Sequence, residues 1–175
     1  DAPRQIDAEA WDALLQQQAE PTPFMCHAYL AAMHTSNSAI PRTGWSPRFI
    51  GLFDGDRLIG AVALYLKSHS YGEYVFDWAW ADAYRRHGLR YYPKALGAAP
   101  FTPVQGTRLL ARDAAARVTL VRAIRALAVE AHLSSAHVLF IGEADRAAFE
   151  SEGWMLREGV QFHWTRDGAS PAPDF

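Results

Sequence analysis

Cysteine is almost missing from this sequence: Cys26 stands alone, which excludes an internal disulfide framework and suits a reducing compartment. Long apolar runs are missing too. The longest, Leu58 to Leu66, falls well short of the ~20 residues a membrane helix needs, and the opening Asp-Ala-Pro-Arg lacks a signal peptide's apolar region. No membrane insertion and a cytoplasmic location are therefore expected, and a start on Asp1 in place of Met reads as a processed or excised chain. Neither charge sign is in excess. Seventeen basic against nineteen acidic side chains give a net charge of -2 and a pI near 6.4, so no global field is available to hold a polyanion such as nucleic acid. No HExxH, CxxC or His-x-His spacing occurs, and His27 and His34, seven residues apart on one helix, stand about 10.5 Å apart, too far for one ion. No metal site is expected. A GxSxG elbow for a serine nucleophile is absent as well.

What is present suffices for one packed domain: 175 residues, 50% hydrophobic and 13% aromatic. Asp7 to Ala19 and Phe24 to Ser36 read as two helices separated by Glu20-Pro21-Thr22-Pro23. Pro47 to Phe53 and Leu58 to Lys67 are β-rich runs joined by the compact turn Asp54-Gly55-Asp56-Arg57, and the second run, apolar on both faces, marks a central strand. Tyr71 to Trp78 alternates, which predicts a strand with Tyr74, Phe76 and Trp78 on one side and Tyr71, Glu73 and Asp77 on the other. A short helix over Ala79 to His87 ends before Gly88, and Tyr91 to Val104, broken by prolines, allows at most a short strand. Asp113 is placed to cap a long helix reaching His132. Ala136 to Ile141 reads as a buried strand, Glu143 to Glu152 as a helix closed by Gly153, and Val160 to Thr165 as a strand with Val160, Phe162 and Trp164 inward. The sum is a mixed α/β (α+β) fold, a largely antiparallel sheet with helices on both faces, spanning 1–165 and followed by a linker at 166–175.

Candidate chemistry concentrates in a few stretches. On a strand, Glu73 and Asp77 would lie about 13 Å apart, too far to share a proton, so they read as solvent-facing or singly paired carboxylates, either able to act alone as a general base. Arg85, Arg86, His87, Arg90 and Lys94 read as a solvated basic patch at a helix C-terminus, with a phosphate site as the alternative. The run from Lys67 through Trp78, with Tyr91-Tyr92-Pro93-Lys94 and Pro100-Phe101-Thr102-Pro103-Val104, suits the walls of a ligand cleft. The expected groove joins the polar face of Tyr71, Glu73 and Asp77 to the Pro100 to Arg108 loop.

Those same stretches, together with Gly106, Arg108-Leu109-Leu110 and Gln161-Phe162-His163-Trp164, resemble the signature of bacterial FemAB-like proteins of peptidoglycan biosynthesis or recognition, in matching order from about Ile6 to Trp164. Ala148-Phe149-Glu150-Ser151-Glu152-Gly153-Trp154 is similar to the helix, glycine, aromatic step of acyl-CoA N-acyltransferase (GNAT) domains. The resemblance implies a GNAT-like domain, the first of a tandem pair, with a second GNAT-like domain as its partner. It implies transfer of an acyl or aminoacyl group to a small-molecule or peptide amine, from acyl-CoA or aminoacyl-tRNA, the latter the one nucleic-acid partner expected. Under it, Glu73 and His163 are the candidate catalytic residues, and Lys67, His69, Tyr71, Tyr74, Asp77, Phe101, Thr102, Arg108 and Gln161 the candidate substrate contacts. The alternative is a domain that only recognises a peptidoglycan-type peptide. Gln105-Gly106-Thr107-Arg108-Leu109-Leu110 departs from the Q/R-x-x-G-x-G/A loop that holds CoA phosphates, so this domain is not expected to bind CoA in the usual manner.

Overall fold

The computed structural model describes residues 3–162. Asp7 accepts the Ala10 N–H at 2.7 Å, satisfying one of the orphan donors of a helix N-terminus, and α1 follows as Ala8–Gln16. The second helix starts later than the prolines suggest. Thr22 caps a 3-10 turn, Pro23–Met25, and Cys26 is extended, so α2 (His27–Thr35) begins only after its sulfur caps the Tyr29 N–H.

Seven strands lie among the described residues: β1 (Trp45–Pro47), β2 (Ile50–Asp54), β3 (Arg57–Val62), β4 (Leu64–Lys67), β5 (Lys94–Gly97), β6 (Leu109–Ala111) and β7 (Ala136–Val138). Gly55, at φ +58, makes the tight β2–β3 turn that pairs Asp54 with Arg57. The apolar run from Leu58 to Lys67 divides at Ala63 and serves two sheets, β2-β3-β6 and β1-β4-β5-β7. Every strand pair is antiparallel except β5 with β7.

Period-two alternation splits the core in two. Ala61, Ala63, Tyr65, Leu96 and Leu110 face α1 and α2 with Trp11, Leu14 and Leu30; Val62, Leu64, Ala95, Leu109 and Ala111 face the other way. That second face is covered by α4 (Ala114–Glu130), through Leu120, Val121 and Ile124, and by α5 (Glu143–Ser151), through Ala148 and Phe149. Asp113 caps α4 by accepting the Ala116 N–H at 2.8 Å, and Gly153, at φ +69, follows the C-terminus of α5. The fold is the expected mixed α/β arrangement, largely antiparallel, with helices on both faces.

One expected strand is absent, and the described part of a second, residues 160–162, is not extended into a sheet. Residues 71–77 form turns and loop, and α3 (Trp78–Arg86) begins where the alternation was to end. Gly72 and Tyr74, both at positive φ, bend the chain out of any extended path. Residues 160–162 pair with no strand, and Val160 and Phe162 are exposed rather than inward, Phe162 at 98%. The remainder of that expected strand, including His163 and Trp164, lies outside the described residues, as does the expected linker.

Candidate functional site

Pairing in the four-stranded sheet places Trp45 opposite Lys67, and Lys67 opposite Lys94, in one row across β1, β4 and β5. Side chains at paired positions point to the same face. Both lysines are fully buried at the ends of these two inner strands, and two like charges directly opposite each other repel. The 68–77 loop supplies the answer. Its turns carry Glu73 and Asp77 back over the row, and Lys94 Nζ donates to Glu73 Oε2 at 2.8 Å, to Ser70 Oγ at 2.9 Å and to Asp77 Oδ2. Lys67 Nζ lies 3.7 Å from the Trp45 ring centroid and donates to the Tyr71 carbonyl at 3.2 Å.

Two lysines and two carboxylates thus balance in an enclosed, low-dielectric space. Burial lowers Lys67 to about 8, against the pull of Glu73 and with the repulsion of Lys94 adding to it. Burial raises Glu73, despite hydrogen bonding from Lys94. Burial acts on Asp77 in the same sense, but hydrogen bonds from Lys94, Ser70 and Tyr91 outweigh it and hold Asp77 below the ordinary range. Opposite shifts in neighbouring carboxyls divide the labour: Glu73 gains protons readily and Asp77 stays ionised. Glu73 Oε1 and Asp77 Oδ1 are buried without a hydrogen-bond partner.

Outside this cluster lies a cleft of about 460 Å³ between α3 and the approach to β5, lined by Trp78, Asp82, Arg85, Arg90, Tyr91 and Tyr92 among others. Its tyrosines connect it to the interior. Tyr91 Oη donates to Asp77 Oδ2 at 2.7 Å, and Tyr92 Oη and Ser70 Oγ are 2.8 Å apart. Ring contacts at 5.0 Å between Tyr91 and Tyr92, and at 5.2 Å between Tyr84 and Tyr91, fix the wall. His137, on β7, is held to about 4 by burial and then by the charge of Lys94, and its Nε2 bonds Ser135 Oγ at 2.9 Å.

Of the sequence candidates, Lys67, Glu73 and Asp77 converge here. The expectation of 13 Å between solvent-facing carboxylates is corrected: both reach one ammonium, because turns rather than a pleat connect them. Lys94 is not part of a solvated basic patch but the centre of the cluster, while Arg85 and Arg86 stay exposed on Asp82. His69 packs on Tyr71 at 5.2 Å and against Gly44, and Tyr71 and Tyr74 are exposed. The groove expected between the carboxylates and the Pro100 to Arg108 loop is corrected too. Glu73 and Asp77 are buried rather than lining an open groove, and from the loop Phe101 meets Trp45 at 5.2 Å and borders Gly72. Thr102 bonds the Tyr29 hydroxyl at 2.9 Å, and Gln161 donates to the Pro103 carbonyl at 2.8 Å. Arg108 is buried, its guanidinium committed to the carbonyls of Val104, Gly106 and Thr107, and burial lowers it to about 10. His163 lies outside the described residues. Sequence reasoning placed Ser70, Tyr91, Tyr92 and Lys94 in stretches suited to cleft walls but named none of them as a site residue, and it missed Trp45 altogether; for Lys94 the signal was the apolar Ala95-Leu96-Gly97 that follows it.

Together these features define a mixed α/β domain with a buried ion cluster behind an aromatic, cation-rimmed cleft. The chain belongs to the FemAB-like family of peptidoglycan biosynthesis and recognition, whose family model matches residues 2–175. No curated protein matches the sequence. A crystal structure of a TTHA1254 mutant from Thermus thermophilus is similar at 16% identity, with a TM-score of 0.48, over 94% of this chain and 96% of that chain. No helix among the described residues is long and apolar enough to cross a membrane, and none of their His, Cys, Asp and Glu side chains group as a metal site.

Proposed function

We propose that this chain is a GNAT-like domain providing the acceptor side of an N-acyl- or aminoacyltransferase that modifies an amine of a cell-wall precursor. The observation that carries the reading is Glu73: a buried carboxylate of raised proton affinity, with Oε1 unpartnered, beside a second carboxylate that stays ionised. An acceptor amine enters as an ammonium and must lose a proton to react. In this reading Glu73 takes that proton and becomes a carboxylic acid. The freed amine then forms a bond to the acyl carbon of a thioester or ester donor; the bond to sulfur or oxygen breaks, the leaving group takes the proton held by Glu73, and the second proton, shed by nitrogen as the amide forms, passes to the emptied Glu73 carboxylate and from there to water. Asp77 and Lys94 position Glu73, Tyr91 and Ser70 throughout. His163 belongs to the same proposal as a second candidate for proton transfer, and the donor's site falls to a second GNAT-like domain. Acyl transfer to a muramyl peptide bearing a free amine, measured for wild type and Glu73→Gln, tests it.

One observation favours the second reading, a domain that only recognises a peptidoglycan-type peptide. The N-terminus of α4, where a CoA pyrophosphate would sit, is taken by the Asp113 carboxylate, itself bonded to Arg112 at 2.9 Å. This domain therefore does not bind CoA there in our reading, and the two readings differ in whether turnover accompanies acceptor binding.

A further inference from the structure

We propose that the outer face of the 71–77 loop and α3 is a docking surface for an anionic lipid bilayer, its exposed rings entering the interface and its arginines meeting the headgroup phosphates. The surface lies outside the buried ion cluster, and the inference stands independently of the acceptor chemistry proposed above.

The first support is an inversion of polarity along the chain. From Tyr71 to Trp80, the rings of Tyr71, Tyr74, Phe76, Trp78 and Trp80 are all exposed, Phe76 at 75%, while Glu73 and Asp77 are buried on Lys94. An ordinary surface loop keeps its charges in water and its large rings inside. Here the lysine row draws the negative charge off the surface and leaves the rings on it. Helix α3 continues the pattern, for it alone among the five α-helices of the described residues buries no side chain. Grouped exposed rings mark an interaction surface, and tryptophan and tyrosine are the side chains that settle at a membrane–water interface.

Charge is the second support. Tyr71 meets Trp78 at 5.2 Å, and Trp78 lines one hollow with Arg85, Leu89 and Arg90, so rings and cations form a continuous surface. Residues 78–92 carry Arg85, Arg86 and Arg90 against Asp82 alone, an excess of two positive charges in a chain whose net charge is -2. The sign of this patch is therefore opposite to that of the whole, and it selects an anionic surface.

Shape favours a bilayer over a protein partner. Trp78 and Trp80 project about 200° apart around α3, yet both are exposed. One rigid protein face does not cover both flanks of a helix, whereas a fluid interface closes around them. A second copy docked through this face would bring a patch of positive charge against itself.

The test is sedimentation of the chain with vesicles of phosphatidylcholine alone and of phosphatidylcholine mixed equally with phosphatidylglycerol. Binding to the anionic vesicles is expected to be about tenfold tighter or more, to weaken in high salt, and to shift tryptophan emission to the blue. Phe76→Ser combined with Trp80→Ser should abolish binding, and Arg85→Gln combined with Arg90→Gln should erase the preference for anionic vesicles. Melting should stay nearly unchanged in both, because these side chains are exposed. No binding, equal affinity for both vesicles, or ring variants that bind as the wild type does would overturn the assignment. So would a dimer in analytical ultracentrifugation that the ring variants dissociate, since a second copy would then cover this face. None of these readouts needs turnover, so failure of the acceptor chemistry leaves them untouched.

Discussion

Lys67 and Lys94 face each other as register partners across β4 and β5, two buried ammonium groups on adjacent strands. Such a pair is tolerable only with carboxylates between, and the 68–77 loop is held down by that need. Lys94 and Glu73 are each 1% exposed at a separation of 2.8 Å. Lys94→Met strands two carboxylates in the interior and should cost about 3–5 kcal/mol, read from urea unfolding. Removing the charges together, as Lys94→Met with Glu73→Gln and Asp77→Asn, should recover much of that loss. A triple variant as unstable as the single one would contradict the pairing.

Lys67 links stability to pH with a definite sign. Its folded value of about 8 lies below the ordinary 10.5, so between these values the unfolded chain binds the proton and the folded chain does not. The penalty for burying the cation is fully present below pH 8 and disappears as pH rises to 10.5. Unfolding free energies at stepped pH should show wild type gaining on Lys67→Met across that window.

His137 acts at the other end of the scale. Its folded value of about 4 is below the ordinary 6.5, so the unfolded state takes up the proton first as pH falls. Wild type should lose stability relative to His137→Asn between pH 6.5 and 4, and hold level with it above 7.

Asp113→Ala removes the cap of α4 and should cost about 1 kcal/mol. Calorimetric titration of wild type with acetyl-CoA should give no heat of binding at this helix. Micromolar affinity abolished by Arg108→Ala would mean that the loop before α4 has been misread.

Much of the fold was legible because its signals are local. Asp7 and Asp113 cap the helices they precede, Gly55 turns the hairpin, and the two faces of the Leu58 to Lys67 run sort into two cores. Of the site, Lys67, Glu73 and Asp77 were legible as residues, but their geometry was not, for a physical reason. Alternation in Tyr71 to Trp78 imitates a strand, yet its large rings are exposed and its acids are the buried members. Pairing of Lys67 with Lys94 depends on strand register between residues distant in the chain, which no local pattern encodes.

Acyl-transfer rates to a muramyl peptide with a free side-chain amine, compared between wild type and Glu73→Gln at equal folded fraction, test the central claim most directly. A general base at Glu73 predicts a loss of about a hundredfold or more in kcat, with the acidic limb of the pH profile removed. An unchanged rate and profile in Glu73→Gln, with the wild-type enzyme active, would contradict it.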